Sequence, residues 1–172
     1  MIQLLDFGKG DFSRLIDAIP DDRFLLRWGG PQYTYPLTAS QLNGTLISAI
    51  GARPVAKAFK AVLTDTGETV GHVQLTRIDH TFFRCSLGRV LIFAEFRGCG
   101  YGRAMVRLAI DYAANRLKSR EISLNVFDFN QTAFSLYTSL GFREEKGNSG
   151  IRKYKNERWR FTHMRLNVDD WS

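Results

Sequence analysis

Residues 95–113 read EFRGCGYGRAMVRLAIDYA, with Gly98, Gly100 and Gly102 crowded between the apolar run VLIF and a long amphipathic pattern. Glycine costs backbone entropy, so a cluster of it at the mouth of a helix calls for a compensating use. The usual one is close approach of the backbone to an anion. The first helical turn has unpaired N–H groups and the positive end of the helix dipole. A strand, a glycine turn and a helix in this order predict a phosphate or pyrophosphate site, bracketed by Arg97 and Arg103.

The other segments arrange themselves around that unit. MIQLLDF (1–7) reads as a first strand, and residues 11–19 and 38–50 as helices. Thr38 is the expected N-cap of the second, with Leu42, Leu46 and Ile50 at helical spacing. The period then changes. VAKAFKAVL and TVGHVQLTRI flank TDTGE, a hairpin signal, and RCSLGRVLIF makes a third strand of this group. Residues 102–118 form the strongest helix, with Met105, Leu108, Ala109, Tyr112 and Ala113 on one stripe. EISLNVF (121–127) is a strand with Ile122, Leu124 and Val126 on one face and Asn125 and Phe127 on the other. Residues 130–140 are helical, with Asn130 as N-cap and Gly141 just past the end. GFREEK through RWRFTHMRL supplies two final strands. The expectation is an α/β (α+β) fold: a mixed, mainly antiparallel sheet of about seven strands with helices on both faces.

At 172 residues, 44% hydrophobic and 24% charged, the chain suits one soluble domain spanning 1–172. Neither a signal peptide nor an apolar run of the roughly 18 residues that cross a bilayer is evident. Cys85 and Cys99 lack metal-ligand spacing, so no metal is expected and a reduced, cytoplasmic protein is. The net charge of +7 admits a polyanionic small molecule, a ribosomal partner or nucleic acid, the last the weakest of these. The densest basic stretch, RKYKNERWR (152–160), reads equally as a charged hairpin at a sheet edge.

Three uses of the glycine loop compete. A nucleotide-hydrolysing P-loop needs Gly-x4-Gly-Lys-Ser/Thr, which is absent. A dinucleotide fingerprint begins at Gly98 and Gly100, but Arg103, Ala104 and Met105 put no glycine at its third place. The third use is to hold the diphosphate of coenzyme A, and by itself the loop also fits a plain glycine-rich turn. A second segment, LNVFDFNQTAFSLYTSLGF (124–142), lines up Asn130, Ala133 and Tyr137 along one helix face. By themselves these residues also fit an N-cap and a core stripe.

Together, the loop IFAEFRGCGYG and this segment resemble the GNAT superfamily of acetyl-CoA-dependent N-acetyltransferases. VGHVQLTRID and GIRKYKNERWRFTHMRL resemble its Rim-like branch, whose members acetylate ribosomal-protein N-termini. The resemblance implies acetyl-CoA as cosubstrate and a primary amine as acceptor, either a protein N-terminus or a small amine. It also implies roles. Backbone groups of Val90, Leu91 and Ile92 pair with the pantetheine arm. The loop Arg97, Gly98, Cys99, Gly100, Tyr101, Gly102 and Arg103 holds the pyrophosphate. Asn130 contacts pantetheine, and Tyr137 stands by the thioester sulfur as general acid. A monomer or homodimer is expected.

One departure stands out. The Rim-like pattern has a glutamate where this chain has Asn125, and asparagine is no general base. Asn125 is left to hold a water, with His72, Asp79, His80 and Asp128 as candidate bases. Glu95 reads as structural. Trp28, Tyr33 and Tyr35, in FLLRWGGPQYTYPLT, belong either to the acceptor site or to the core. The competing function is a weakly catalytic or non-catalytic basic module of the same fold that binds CoA, RNA or the ribosome.

Overall fold

A computed structural model describes residues 1–171 and shows one seven-stranded sheet in the order β1-β2-β3-β4-β5-β7-β6. The strands are β1 (Ile2–Asp6), β2 (Lys57–Leu63), β3 (Thr69–Asp79), β4 (Arg84–Ile92), β5 (Glu121–Phe127), β6 (Arg143–Tyr154) and β7 (Glu157–Asn167). The helices are α1 (Phe12–Asp17), α2 (Asp22–Gly29), α3 (Ala39–Ile47), α4 (Tyr101–Asn115) and α5 (Gln131–Ser139). Every neighbouring pair is antiparallel except β4 and β5, which the α4 crossover makes parallel.

The sheet is covered on both sides, by two apolar clusters. Met105, Val106, Ala109, Ile110 and Ala113 of α4 pack with Leu75, Ile122, Leu124 and Phe142 in the larger one. The predicted α4 stripe is rotated slightly: Val106 and Ile110 are fully buried, whereas Leu108 and Tyr112 sit at its margin. In the smaller cluster, Leu15, Leu25, Trp28 and Leu42 from the three N-terminal helices meet Leu91 and Phe93.

Two helices differ most from the sequence expectation. Helix α2 lies between the first two predicted helices, where the sequence pattern assigns no element; Asp21 caps it, its carboxylate accepting from the Phe24 N–H at 2.7 Å. Leu25, Trp28 and Gly29 then fall inward at helical spacing. Helix α3 stops at Ile47, three residues short of the predicted end, and Ile50 is exposed, because nothing packs over that face. The basic stretch 152–160 is the tip of the β6–β7 hairpin at the sheet edge, with Tyr154, Lys155 and Arg160 engaging Asp22 and Asp128.

The feature that makes a site is where pairing stops. β4 and β5 are in register only over Arg84–Ser86 and Glu121–Ser123, and beyond them they splay apart. A β-bulge at Arg89 and Val90 bends β4 against β3 at the same level, with Arg89 at φ +51°. The wedge between the diverging strands opens on both faces of the sheet.

Candidate active site

Two cavities meet in this wedge. One, of about 680 Å³, runs along β4, the glycine loop and the inner face of α5. The other, of about 590 Å³, lies between α2, α3 and the sheet. Arg27, Trp28, Leu87, Gly88, Arg89, Asn125 and Phe127 line both, so they form the junction.

The first cavity gathers almost every residue singled out for the cosubstrate. Val90, Leu91, Ile92, Arg97, Gly98, Gly100, Tyr101, Gly102, Arg103, Asn130 and Tyr137 all line it. Cys99 does not; its side chain is exposed and turns back toward the Arg97 carbonyl. Because pairing to β5 ends at Ser86, the β5-facing edge of β4 from Leu87 onward carries free peptide groups, the arrangement an added strand requires. The N-cap of helix α4 is Gly100, a left-handed residue at φ +78° that offers no side-chain cap. The N–H groups of Tyr101, Gly102 and Arg103 therefore have no partner in the helix ladder. Gly98 is left-handed too, at φ +79°, and a Cβ on either glycine would meet no protein atom within 4 Å. The space in front of the turn is open, and strain alone demands glycine there. Arg97 donates from Nε to the Ile92 carbonyl at 3.1 Å, and Arg103 reaches Ser139. Free amides, a helix N-terminus and two guanidinium groups fit a pyrophosphate.

Asn130 caps α5, its Oδ1 accepting from the Ala133 N–H at 3.3 Å. Two turns on, Tyr137 is 8% exposed and packs edge-on against Phe142. Its hydroxyl takes no hydrogen-bond partner among the described residues. Burial pushes its pKa up to about 12, so it is a neutral phenol with a proton to donate throughout the working range.

Asn125 faces the junction from β5. Its register partner on β7 is His163, whose Nδ1 lies 2.8 Å from Asn125 Oδ1. Behind it, Glu145 from the irregular stretch of β6 stands 3.6 Å from His163 Nε2 and is itself paired with Arg165. Burial, and then the charge of Arg77, lower the His163 pKa. A neutral His163 with its proton on Nδ1 donates to Asn125 Oδ1, which leaves the Asn125 amide N–H groups without a partner among the described residues. Sequence reasoning missed His163, because nothing local to residue 163 announces a cross-strand partner 38 positions away.

None of the four proposed bases lines either cavity. His72 is buried between Phe7 and Trp28 and bonded to Gln74 at 2.9 Å. Desolvation holds its pKa down at about 3. Asp79 caps the turn at Thr81 and Phe82, His80 bonds to the Pro54 carbonyl, and Asp128 pairs with Thr162 and Arg160. Glu95 is an ion-pair partner of Arg14. Trp28 and Tyr33 satisfy both readings offered for them, being core residues that also line the second cavity, while Tyr35 is exposed. Among the described residues no three His, Cys, Asp or Glu side chains converge as metal ligands, and no helix is long and apolar enough to cross a membrane.

Known proteins share this architecture. The structure of spermidine N-acetyltransferase from Vibrio cholerae in complex with CoA and spermine superposes with a TM-score of 0.82 at 20% identity, over 98% of this chain and 96% of that one. In sequence, spermidine N(1)-acetyltransferase of Escherichia coli (strain K12) is 33% identical over 79 residues, 46% of this chain and 42% of that protein. An uncharacterised N-acetyltransferase of Bacillus subtilis, YycN, is 42% identical over 53 residues, 31% of this chain and 33% of that one. The matched stretches span less than half the length of these sequence relatives. The model of the acetyltransferase (GNAT) family matches residues 24–142, from within α2 to just past α5, which takes in the glycine loop, the β4–β5 wedge and Tyr137. The chain belongs to the GNAT family of acetyltransferases.

Proposed function

We propose that this protein transfers an acetyl group from acetyl-CoA to a primary amine by direct attack at the β4–β5 junction. The observation that carries the proposal is the convergence of two cavities there, one along the free β4 edge and the glycine turn and the other between α2, α3 and the sheet.

In this reading the free edge of β4 aligns the pantetheine, and the amides of Tyr101, Gly102 and Arg103 hold the pyrophosphate. The cosubstrate supplies an activated acetyl thioester. Bringing it and the amine into one wedge replaces a bimolecular encounter by a positioned one. Asn125, held by His163, presents amide N–H groups that polarise the carbonyl or fix a water. Tyr137 donates toward the departing sulfur, which leaves as the thiol. The amine proton passes to solvent, since among the described residues no carboxylate or histidine lines either cavity. The Rim-like look of the C-terminal strands keeps a protein α-amino group among the acceptors to assay, and the relatives' polyamines are primary amines as well.

The test measures acetyl-CoA-dependent thiol release across primary amines and N-terminal peptides, alongside the melting temperature with and without CoA. The expected result is a CoA-induced rise in Tm, since a ligand of the folded state alone stabilises it, together with amine-dependent thiol release. Salt-sensitive RNA binding without any CoA effect would favour the basic binding module instead.

A further inference from the structure

The second cavity has a one-sided charge. Arg27, Arg77, Arg89 and Arg152 line it, Arg27 and Arg89 reaching the first cavity as well, and among the described residues no aspartate or glutamate does. Among the described residues none of these four arginines has a carboxylate partner. The chain does not lack acids to pair with. Arg14, Arg23, Lys57, Lys60, Arg84, Lys155, Arg160 and Arg165 all have carboxylate partners elsewhere. What sets the cavity apart is that four arginines share one concave wall with no acid among them.

The partners the four do have are neutral. Arg89, thrown toward the cavity by the β4 bulge, donates to Gln74, Gln32 and the Gly29 carbonyl and lies 4.6 Å from the Tyr33 ring centroid. These contacts fix its orientation without cancelling its charge. Arg77 donates to Ser86 Oγ at 3.1 Å. Arg27 stacks 4.8 Å over Phe24. Arg152 Nε is buried with no acceptor at all. Arg27 and Arg77 are exposed, but Arg89 is partly desolvated and Arg152 carries an orphaned buried donor, and both are costly. A ligand oxyanion removes both costs, because the guanidinium fork matches carboxylate and phosphate geometry.

From this arrangement, and granting the acetyl-transfer reading above, we infer that the acceptor is an amine that also carries an oxyanion group, a carboxylate or a phosphate. A polyamine, which brings only further ammonium charges, is the wrong ligand for this cavity. The same field has a second effect. Nearby cations disfavour the protonated form of the acceptor's own amine, so more of it is present as the neutral nucleophile. That offsets the lack of a lining base.

The test compares matched acceptors at saturating acetyl-CoA. O-phosphoethanolamine is set against ethanolamine for the phosphate arm, 4-aminobutyrate against butylamine for the carboxylate arm, and spermidine stands as the polycation. Whichever oxyanion fits should exceed its uncharged counterpart about tenfold or more in kcat/KM, with spermidine poorest. Arg77→Gln and Arg152→Gln should each erode that preference, chiefly through KM, while the CoA-induced rise in Tm persists and certifies the fold. Arg152→Glu should move the preference toward spermidine. Protein that responds to CoA but prefers spermidine or the uncharged amines overturns the inference. So does CoA-bound protein to which neither oxyanion amine binds in a calorimetric titration. Protein with no CoA response at all overturns the acetyl-transfer reading beneath it.

Discussion

Replacing His72 by glutamine tests whether this histidine is a buried, neutral structural residue or a working base. His72 is 1% exposed, with Nε2 on Gln74 and Nδ1 without a partner. Protonation would place a charge in an apolar box beside Phe7 and Trp28, linked through Gln74 to the cation of Arg89. Its pKa is accordingly depressed from 6.5 to about 3. In the unfolded chain the imidazole takes up a proton near pH 6.5, and in the folded chain it does not. The unfolded state therefore binds more protons, and stability falls as pH drops from 6.5 toward 3. Each pH unit inside that window costs about 1.4 kcal/mol, so at pH 5 the loss due to His72 approaches about 2 kcal/mol. Most carboxylates titrate lower, and the other groups are common to both proteins, so the difference isolates this residue. Urea unfolding at pH 7.5 and pH 5.0, followed by circular dichroism, should show the parent losing about 2 kcal/mol more than His72→Gln. The variant should also retain turnover, since His72 lines neither cavity. Curves that lose the same stability within about 0.5 kcal/mol would refute the neutral burial of His72. Loss of turnover in a variant that still responds to CoA would return His72 to the candidate bases.

Other perturbations separate the parts of the wedge. Tyr137→Phe should keep the CoA-induced rise in Tm but lower kcat by about 10²- to 10⁴-fold; turnover within about twofold of the parent would leave Tyr137 a core residue. Because its phenol titrates near 12, the parent's pH profile should show no alkaline limb from this group below about pH 11. Gly100→Val puts a β-branched residue at φ +78° in front of the open turn, and should abolish the CoA effect; an unchanged shift would take the loop out of the site. His163→Ala frees the Asn125 amide and should cut kcat by about 10- to 100-fold with CoA binding intact. For two acceptors whose amine pKa values differ by about two units, the acid limbs of kcat/KM should separate, each following its acceptor; coincident limbs would reveal a base on the enzyme.

Much of this molecule was legible in the linear sequence because the relevant signals are local. Gly98, Gly100 and Gly102 between an apolar strand and an amphipathic helix specify a glycine turn that opens an uncapped helix, and alternation in EISLNVF specifies which way Asn125 faces. Asn130 and Tyr137 share a helix face by spacing alone. Helix α2 was legible too, in Asp21, Leu25 and Trp28, but its aromatic and glycine-rich end hid the pattern. What no local signal carries is the outcome of pairing across the sheet. Only the tertiary structure decides that β4 and β5 part after Ser86, that His163 falls opposite Asn125, and that arginines 27, 77, 89 and 152, from four separate elements, share one cavity without a carboxylate. The physical reason is range. Backbone conformation and amphipathic phase depend on neighbours within a turn or two, whereas the charge of a cavity is a sum over distant segments that meet only when the chain has folded.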